Sequence, residues 1–224
     1  MIGNPTSTPT TVYLARHGES VLNQARRVSG RLDTPLSLNG HRFSEDLAEL
    51  LCDIPLTGIY TSALMRTIDT ARPTAKRHGL SIQINDSLNE LHFGVLEGRY
   101  RDARDPEALA IWEARKRDKR SYQIPGGERF VDMADRVRHA LNHILTHEAV
   151  GMILIVGHRN VNQVLFGILM QQPEEQWPRL ALKSQSVYRI NTGSSHQLTT
   201  LTLSGKRTGM LSSETVLSEP QLRT

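Results

Sequence analysis

Residues 11–20 read TVYLARHGES, a short apolar run followed directly by Arg16, His17 and Gly18. An apolar run with β-branched and aromatic members predicts a buried strand. Open α/β sheets bind ligands beyond the carboxyl ends of their strands, so Arg16 and His17 are expected at a ligand site. Arg16 offers a rigid fork of N–H groups for phosphate or carboxylate oxygens, and neutral His17 is available as a nucleophile near neutral pH. Gly18 is expected to allow a sharp turn and a close approach to the ligand.

Strand and helix patterns alternate along the rest of the chain. Five further stretches have strand character: GIYTS, LSIQI, MILIVG, SVYRI and LTTLTL. Between them, Ser37 can cap a helix through HRFSEDLAELL, and residues 63–78 and 127–148 have helical apolar spacing. Pro73 is expected to kink or interrupt the helix over residues 63–78. This alternation predicts an α/β fold with parallel strands and helical crossovers.

Length and composition favour one α/β domain, because the chain has 224 residues with 38% hydrophobic and 22% charged residues. Residues 1–10 and 204–224 are rich in Ser, Thr, Pro and Gly without hydrophobic period, and they are predicted to be a flexible extension and a flexible tail. The domain is then expected over residues 11–203. The polar helical segment 105–120 lies in the longest stretch between strand candidates, and the region of about 99–126 around it is expected to cap a pocket.

The composition also bounds where the protein acts. No apolar run approaches the roughly 18 residues that span a bilayer, and the start MIGNPTSTPTT lacks the apolar stretch of a signal peptide. No membrane association and a cytoplasmic location are therefore expected. Cys52 is the single cysteine, which excludes an internal disulfide and a multi-thiolate zinc site. It is expected to be a small core residue at a helix end.

Two groups of polar residues could indicate a binding site, but for each group a simpler interpretation is preferred. Basic residues are concentrated around Asp118, within the segment 115–120, and no aromatic residues are interleaved for base stacking. A solvated helix end is expected there, and no nucleic-acid partner. His139, His143 and His147 recur every four residues on the side of a helix opposite its apolar residues. They are expected to face solvent without binding metal.

The Arg-His-Gly triplet after the first strand resembles the hallmark of the histidine phosphatase, or phosphoglycerate-mutase-like, superfamily. Residues after the triplet also match the family pattern: Asn23, Arg27, Gly30, Asp33, Pro35-Leu36 and Gly40. Three later segments follow in the family's order, namely residues 60–71 with Arg66, residues 88–98 with Glu90, and residues 153–158 ending in His158. The motif PGGE at residues 125–128 also resembles the family pattern. Together the matches run from about residue 12 to 166.

This resemblance, which is to the phosphatase branch, implies a three-layer sandwich with a mostly parallel central sheet flanked by helices. It also implies a metal-independent phosphomonoester hydrolase without cofactor. In it, His17 attacks phosphorus, and Arg16, Arg66 and a protonated His158 neutralise the phosphoryl oxygens. Glu90 is the implied proton donor. The implied phosphate-binding residues include Asn23, Ser29 and Gly30 in addition to Arg16, Arg66 and His158.

The sequence departs from the family pattern after the second histidine, where the family often has a small residue and this chain has Arg159. Arg159 either contacts a second acidic group of the substrate or points to solvent. A phosphoglycerate-type mutase is the main alternative, but mutases usually carry a longer insertion than the 37 positions between Glu90 and Gly127 (127 − 90). A catalytically silent phosphate-binding regulatory module is the other alternative. The expected partner is a small phosphomonoester, and a homodimer is left open.

Overall fold

The structure is a computed structural model that describes residues 10–148, 151–192 and 197–202. Its centre is a six-stranded sheet. The strands are β1 (Thr11–Arg16), β2 (Gly58–Thr61), β3 (Ile82–Ile84), β4 (Met152–Gly157), β5 (Ser186–Asn191) and β6 (Gln197–Thr202). Their order across the sheet is β3-β2-β4-β1-β5-β6. Each strand candidate of the sequence corresponds to one of these strands.

The sheet is mostly parallel, as expected. The pairs β3–β2, β2–β4 and β4–β1 are parallel, whereas β5 is antiparallel to both β1 and β6. Only five residues (192–196) separate β5 from β6, and a parallel crossover requires about a dozen. The two strands at this edge therefore pair in antiparallel fashion, and the sheet as a whole is mostly parallel.

The described residues form six α-helices. They are α1 (Val21–Gln24), α2 (Leu38–Leu50), α3 (Met65–His78), α4 (Pro106–Arg117), α5 (Phe130–His147) and α6 (Arg159–Leu169). Short 3₁₀ turns lie at Asp86–Leu88, Gly94–Leu96 and Glu174–Arg179. Ser37 caps α2 as predicted, because its hydroxyl accepts a hydrogen bond from the Gly40 amide at 3.2 Å.

Alternate residues of the central strands point into two separate cores. Val12 and Leu14 of β1 belong to a cluster that includes residues of α5 and α6, whereas Tyr13 and Ala15 belong to a cluster with residues of α2 and α3. The residues of β4 divide between the same two clusters. Both faces of the sheet are thus covered by helices, which explains why its inner strands are continuous apolar runs. The result is the three-layer sandwich that the family resemblance implied.

Two local expectations need correction. The interruption of α3 at Pro73 does not occur, because the helix continues through the proline to His78, and residues buried on both sides of it, Ala71 and Ala75 among them, hold both halves against the sheet. Cys52 is exposed. Its neighbour Leu51 is fully buried and fills the core position, whereas Cys52 lies in the turn that follows α2.

Helix α4 lies within the segment expected to form a cap. It packs beside the Gly94–Leu96 turn through buried Ala108, and the rings of Trp112 and Phe93 stack with centroids 5.8 Å apart. Apart from Thr10, the extension 1–10 and the tail 204–224 of the sequence prediction lie outside the described residues. No helix in the described part of the chain is both long and apolar enough to cross a membrane.

Candidate active site

Three neighbouring strands end at the same edge of the sheet and deliver the polar residues found there. His17 follows β1, His158 follows β4 and Ser62 follows β2. In the parallel register of β1 and β4, Arg16 is paired with Gly157, and the His17 amide donates to the Gly157 carbonyl at 3.0 Å. The two histidine rings consequently lie side by side, with centroids 5.1 Å apart and planes inclined by 61°.

The surroundings of His17 fix its tautomer. Its Nδ1 lies 2.7 Å from the Gly18 carbonyl oxygen, and because a carbonyl oxygen only accepts hydrogen bonds, Nδ1 carries the hydrogen. In the neutral ring the lone pair is then on Nε2. Burial lowers the pKa of His17 well below its ordinary value, and the charges of Arg16 and Arg66 lower it further, against the Gly18 hydrogen bond. The imidazole is therefore neutral near pH 7, with a free lone pair on Nε2.

His158 is fully buried and also favours the neutral form. Its Nδ1 lies 3.3 Å from Nη2 of Arg66, which can only donate, so this nitrogen is an acceptor. Its Nε2 is 2.8 Å from Oγ of Ser62. Burial lowers the pKa of His158 well below its ordinary value, and Arg66, His17 and Arg16 lower it further. These surroundings favour a neutral His158, whereas the family resemblance implied a protonated His158 during phosphoryl transfer.

Arg66 lies in the first turn of α3 and is buried, with three of its five N–H groups bonded inside the protein. Nη2 donates to the Gly30 carbonyl at 2.6 Å and to His158, and Nη1 donates to the Leu32 carbonyl at 2.9 Å. Its Nε has no partner among the described residues. Burial lowers the pKa of Arg66 to about 10, although Glu90 and Asp33 oppose the shift. The guanidinium is thus a rigidly held cation.

The loop that holds Arg66 requires glycine at position 30. Gly30 has a φ of +53°, and a Cβ atom there would lie 2.1 Å from Oε1 of Glu97. That oxygen accepts hydrogen bonds from the amides of Arg31 and Phe93, both at 2.9 Å, so it is not free to move away. Gly30 therefore serves the site through its backbone, whose carbonyl anchors Arg66.

Gly18 allows a close approach of two backbone segments. A Cβ at this position would lie 2.6 Å from the Gly40 carbonyl oxygen. The Gly18 amide also donates to Thr70 Oγ1 at 2.9 Å. The segment that carries His17 is thereby fixed against α2 and α3.

Glu90 is buried and faces the same cavity as His17. Its Oε1 accepts from the Leu91 amide at 2.8 Å, and its Oε2 accepts from the Asn160 amide at 3.4 Å. Its backbone carbonyl accepts from Nη2 of Arg136 at 3.2 Å, and Arg136 also forms a two-pronged ion pair with Glu128, at 2.8 and 2.9 Å. The PGGE motif therefore supports the segment that carries Glu90.

All the predicted site residues except His158 line one cavity of about 850 Å³. His158 is fully buried behind the cavity wall, in contact with Arg66 and beside His17. Asn23 donates through Nδ2 to Ser29 Oγ at 3.4 Å, which places the two polar side chains together on one wall with Gly30. Arg159 is exposed at the first position of α6 and also lines the cavity. His139, His143 and His147 lie elsewhere, exposed on α5.

The sequence missed several basic residues of this cavity. They are Arg26, Arg42, Arg101, Arg115, Lys116 and Lys119. The interpretation of the segment 115–120 as a solvated helix end is wrong for Arg115, which is only 5% exposed. Because α4 lies beside the site, Arg115 and Lys116 of its last turn and Lys119 just beyond its end line the cavity. The sequence did contain an indication of these residues. The segment predicted to cap a pocket ends in basic residues, and positive charge in a cap favours phosphate binding in the pocket below it.

Comparison with known proteins gives one consistent family. The sequence matches the family described as the histidine phosphatase superfamily (branch 1) over residues 12–202. It is 33% identical over 180 residues to the probable phosphoglycerate mutase GpmB of Erwinia tasmaniensis, covering 80% of this chain and 84% of that one. Serratia proteamaculans has a protein of the same description that is 34% identical over 181 residues, with the same coverage.

Solved structures with the same fold include phosphatases. The α-ribazole phosphatase of Shigella flexneri superposes with a TM-score of 0.76 at 26% identity, covering 84% of this chain and 95% of that one. A mycobacterial glucosyl-3-phosphoglycerate phosphatase in complex with VO₃ gives a TM-score of 0.73 at 28% identity, covering 80% and 90% of the two chains.

Proposed function

We propose that this chain, which belongs to the histidine phosphatase superfamily, hydrolyses small phosphomonoesters through a phosphohistidine on His17, without a metal ion. The proteins similar to it include phosphatases and probable phosphoglycerate mutases. One observation carries this proposal. The Nδ1–H of His17 is held by the Gly18 carbonyl, so the Nε2 lone pair is available beside Arg16, Arg66 and His158. A neutral nucleophile among fixed cations is suited to attack on a phosphoryl group.

In the first step, the Nε2 lone pair forms a bond to phosphorus while the bond from phosphorus to the leaving-group oxygen breaks. The transferred phosphoryl group carries a charge of about −2 near neutral pH. Arg16 and Arg66 supply two permanent positive charges for its oxygens, and neutral His158 is held ready by Arg66 and Ser62. As the phosphoryl group approaches, its negative charge favours protonation of His158, which opposes the pKa-lowering effect of the arginines.

Glu90 serves both steps of the reaction. Protonated Glu90 donates its proton to the departing oxygen, and its carboxylate then takes a proton from the attacking water. The water oxygen bonds to phosphorus, the bond from phosphorus to Nε2 breaks, and phosphate leaves with the lone pair restored to His17. General acid and base catalysis of this kind typically contributes about 10²–10⁴-fold. The Leu91 and Asn160 amides hold the two carboxyl oxygens in place and stabilise the carboxylate that accepts the proton from water in the second step.

A phosphoglycerate-type mutase is the second candidate, because the relatives at 33% and 34% identity are described as probable phosphoglycerate mutases. A mutase must return the phosphoryl group to a substrate before water attacks. The cavity of about 850 Å³ lies near the top of the range for pockets that bind drug-sized ligands, so a three-carbon acid leaves room for water. Between Glu90 and Gly127 the described chain holds a single helix, α4. Both features favour the hydrolase.

A silent phosphate-binding module is disfavoured by the cost of the arrangement. Burying two histidines and Glu90 against two arginines costs free energy of folding. Ionisable groups in such surroundings are typical of catalytic sites. Binding alone requires cations and amides, which Arg16, Arg66 and the loop at residues 29–30 already provide. The tautomer lock on His17 adds nothing to simple anion binding.

Turnover of a phosphomonoester panel in excess chelator tests the proposal. We expect phosphate release with p-nitrophenyl phosphate and with aliphatic monoesters, unchanged by EDTA, and abolished by His17→Gln. His139→Gln is the matched control, because it replaces an exposed histidine outside the cavity and should retain full activity. Loss of turnover on chelation contradicts a metal-independent mechanism. Transfer of phosphate between hydroxyls of 2- and 3-phosphoglycerate without release of inorganic phosphate indicates the mutase instead.

A further inference from the structure

The cavity contains far more positive charge than one phosphoryl group requires. Ten basic and three acidic side chains line it, whereas a phosphoryl group carries a charge of only about −2. Two of the basic residues, Arg16 and Arg66, adjoin the histidines. Four others form what we name the distal cluster: Arg101, Arg115, Lys119 and Arg159. Its presence calls for an explanation beyond the phosphoryl site.

Few acidic side chains of the protein offset the positive charge of the distal cluster. In the part of the chain that the structure describes, Arg101, Lys119 and Arg159 take part in no ion pair, and Arg115 donates only to the neutral Asn160 side chain, at 3.3 Å. By contrast, Lys116 is paired with Glu113 at 2.7 Å. Cations assembled near one another without counter-charges repel, so the folded protein maintains the cluster at a cost.

Aromatic rings hold two members of the cluster in place. The guanidinium of Arg115 lies 5.2 Å from the centroid of the Phe93 ring and 5.5 Å from that of Trp112, and the guanidinium of Arg101 lies 5.4 Å from the Trp112 centroid. Cation–π contacts fix the position of a guanidinium without neutralising its charge. The N–H groups of these arginines therefore remain available to an anion at little entropic cost.

The four members of the cluster lie close enough together to affect one another. Burial lowers the pKa of Arg115 to about 10, with Glu90 opposing and Arg159 adding to the shift. Burial also lowers the pKa of Lys119, and Arg159 and Arg115 lower it further. Burial lowers the pKa of Arg16 as well, and the charges of Arg159 and Arg101 add to that shift, so the cluster adjoins the phosphoryl site. Because all four side chains line the cavity, the cluster forms a second centre of positive charge beside that site.

Asn160 connects this second centre to Glu90. Its amide donates to Oε2 of Glu90 at 3.4 Å, and its side-chain oxygen accepts from Arg115. Under the proposed function, Glu90 protonates the leaving-group oxygen, so whatever adjoins Glu90 meets the leaving group. The distal cluster thus lies where the non-phosphoryl part of the substrate must extend.

We infer that the distal cluster is a subsite for a second anionic group, a carboxylate or a second phosphate, on the leaving group of the substrate. This inference rests on the proposed function and narrows its substrate class. The preferred substrate is a phosphomonoester with two separated anionic groups, joined by a body that contacts Trp112 and Phe93. Of the two interpretations of Arg159 left open by the sequence, contact with a second acidic group is the one adopted.

A matched series of aryl phosphates tests the subsite: phenyl phosphate, 4-carboxyphenyl phosphate and 1,4-phenylene bisphosphate. We expect kcat/KM of the wild-type enzyme to be about tenfold or more higher for the two anionic esters than for phenyl phosphate, the size expected of one charge-assisted hydrogen bond. The bisphosphate value is first halved for its two equivalent reactive groups. Whichever anionic ester is preferred identifies the second group as carboxylate or phosphate.

Single-charge variants test whether the distal cluster causes this preference. Lys119→Gln and Arg159→Gln should each lower the ratio of kcat/KM for the anionic esters to kcat/KM for phenyl phosphate by about fivefold or more. Arg117→Gln removes one positive charge two positions before Lys119, but Arg117 is exposed and outside the cavity, so its ratio should equal that of the wild type. Thermal unfolding confirms that each variant is folded. Because Lys119 and Arg159 are not core residues, we expect both to fold.

Each outcome of this experiment has a definite meaning. Equal kcat/KM for all three esters in the wild type overturns the subsite but leaves the hydrolase intact. An equal drop of the ratio in Arg117→Gln also overturns the subsite, because the preference is then a general effect of net charge. If the wild type hydrolyses none of the three esters, the proposed function fails and the subsite fails with it.

Discussion

His17 and His158 occupy equivalent positions, each one residue beyond the register pair Arg16 and Gly157 at the ends of two adjacent parallel strands. The parallel register therefore brings their rings to a centroid distance of 5.1 Å. Neither ring is placed by a flexible loop. The stability of the central sheet maintains the spacing of the two imidazoles, so substitutions in the loops should alter substrate choice more readily than the geometry of the histidine pair.

Both histidines should remain neutral in mildly acidic solution. An unperturbed imidazole is half protonated at about pH 6.5, whereas burial and neighbouring arginines lower the pKa of His17 and of His158 well below that value. A lowered pKa means that the neutral form persists as the pH falls through 6.5. Two-dimensional ¹⁵N NMR of the imidazoles at pH 6.5 should show His17 as a neutral Nδ1–H tautomer. A signal of the charged form from either ring at that pH contradicts the electrostatic account.

Replacing Glu90 by Gln should affect substrates according to their leaving groups. The amide cannot donate a proton to the departing oxygen, so kcat for an aliphatic ester should fall by about 10²–10⁴-fold. p-Nitrophenyl phosphate, whose leaving group is stable without protonation, should lose much less in its first step. Rapid-quench measurement of phosphoenzyme formation with both esters separates this step from hydrolysis. Equal losses for the two esters remove the assignment of Glu90 as proton donor.

Arg136 is expected to be a positioning residue for Glu90. Its Nη1 donates to the Ser87 carbonyl at 2.7 Å, and its Nη2 contacts the Glu90 carbonyl and Glu128. Arg136→Gln should reduce kcat about tenfold for aliphatic esters while changing KM little, and should lower the free energy of unfolding by about 1–3 kcal/mol. Partial rescue of kcat by Arg136→Lys is also expected.

Arg129→Gln provides the control for Arg136, because Arg129 pairs with Asp132 on the surface and does not contact the Glu90 segment. Its effects on kcat and on stability should both be small, since exposed ion pairs contribute about 0–1 kcal/mol. If Arg136→Gln lowers stability but leaves the leaving-group dependence of kcat unchanged, its role is structural only.

Gly30→Ala should disable the enzyme, whereas Gly79→Ala should be tolerated. Both glycines have positive φ, +53° and +63°, but a Cβ at Gly30 collides with Glu97, and a Cβ at Gly79 meets nothing within 4 Å. The backbone penalty of about 1–2 kcal/mol is common to both. Only Gly30→Ala should also disturb the carbonyl that anchors Arg66, so urea unfolding and kcat/KM measured together distinguish the two effects. Equal activity of the two variants contradicts the proposed role of the loop.

The sequence predicted those features that depend on local patterns. Continuous apolar runs predict the strand TVYLA and the buried strand before His158. Side chains that directly follow two parallel strands must lie at the same edge of the sheet. The antiparallel edge at β5 and β6 was not evident, because strand direction depends on connections between elements. The sequence of α3 contains Pro73, yet burial of its neighbours outweighs the local tendency to interrupt the helix.

The parts of the site that the sequence did not predict depend on tertiary placement. Arg115 lies in α4, a helix of polar character, and Lys119 follows its end, and only the position of α4 beside the cavity places both at the site. Ser62 carries no pattern of its own, but it follows β2 directly and therefore reaches His158. The neutral state of His158 depends on its complete burial next to Arg66, and a one-dimensional pattern contains no information on that environment.

The most direct test of the mechanism is the identity of the phosphorylated atom. Enzyme labelled with ¹⁵N-histidine is mixed with excess p-nitrophenyl phosphate at pH 6, denatured in base within milliseconds, and examined by ³¹P–¹⁵N NMR and peptide mass spectrometry. The account predicts an acid-labile phosphate on Nε2 of His17 that forms as fast as nitrophenol is released and is absent from His17→Gln. Phosphate on Nδ1 of His17 or on His158, or a burst of nitrophenol without any phosphohistidine, would contradict it.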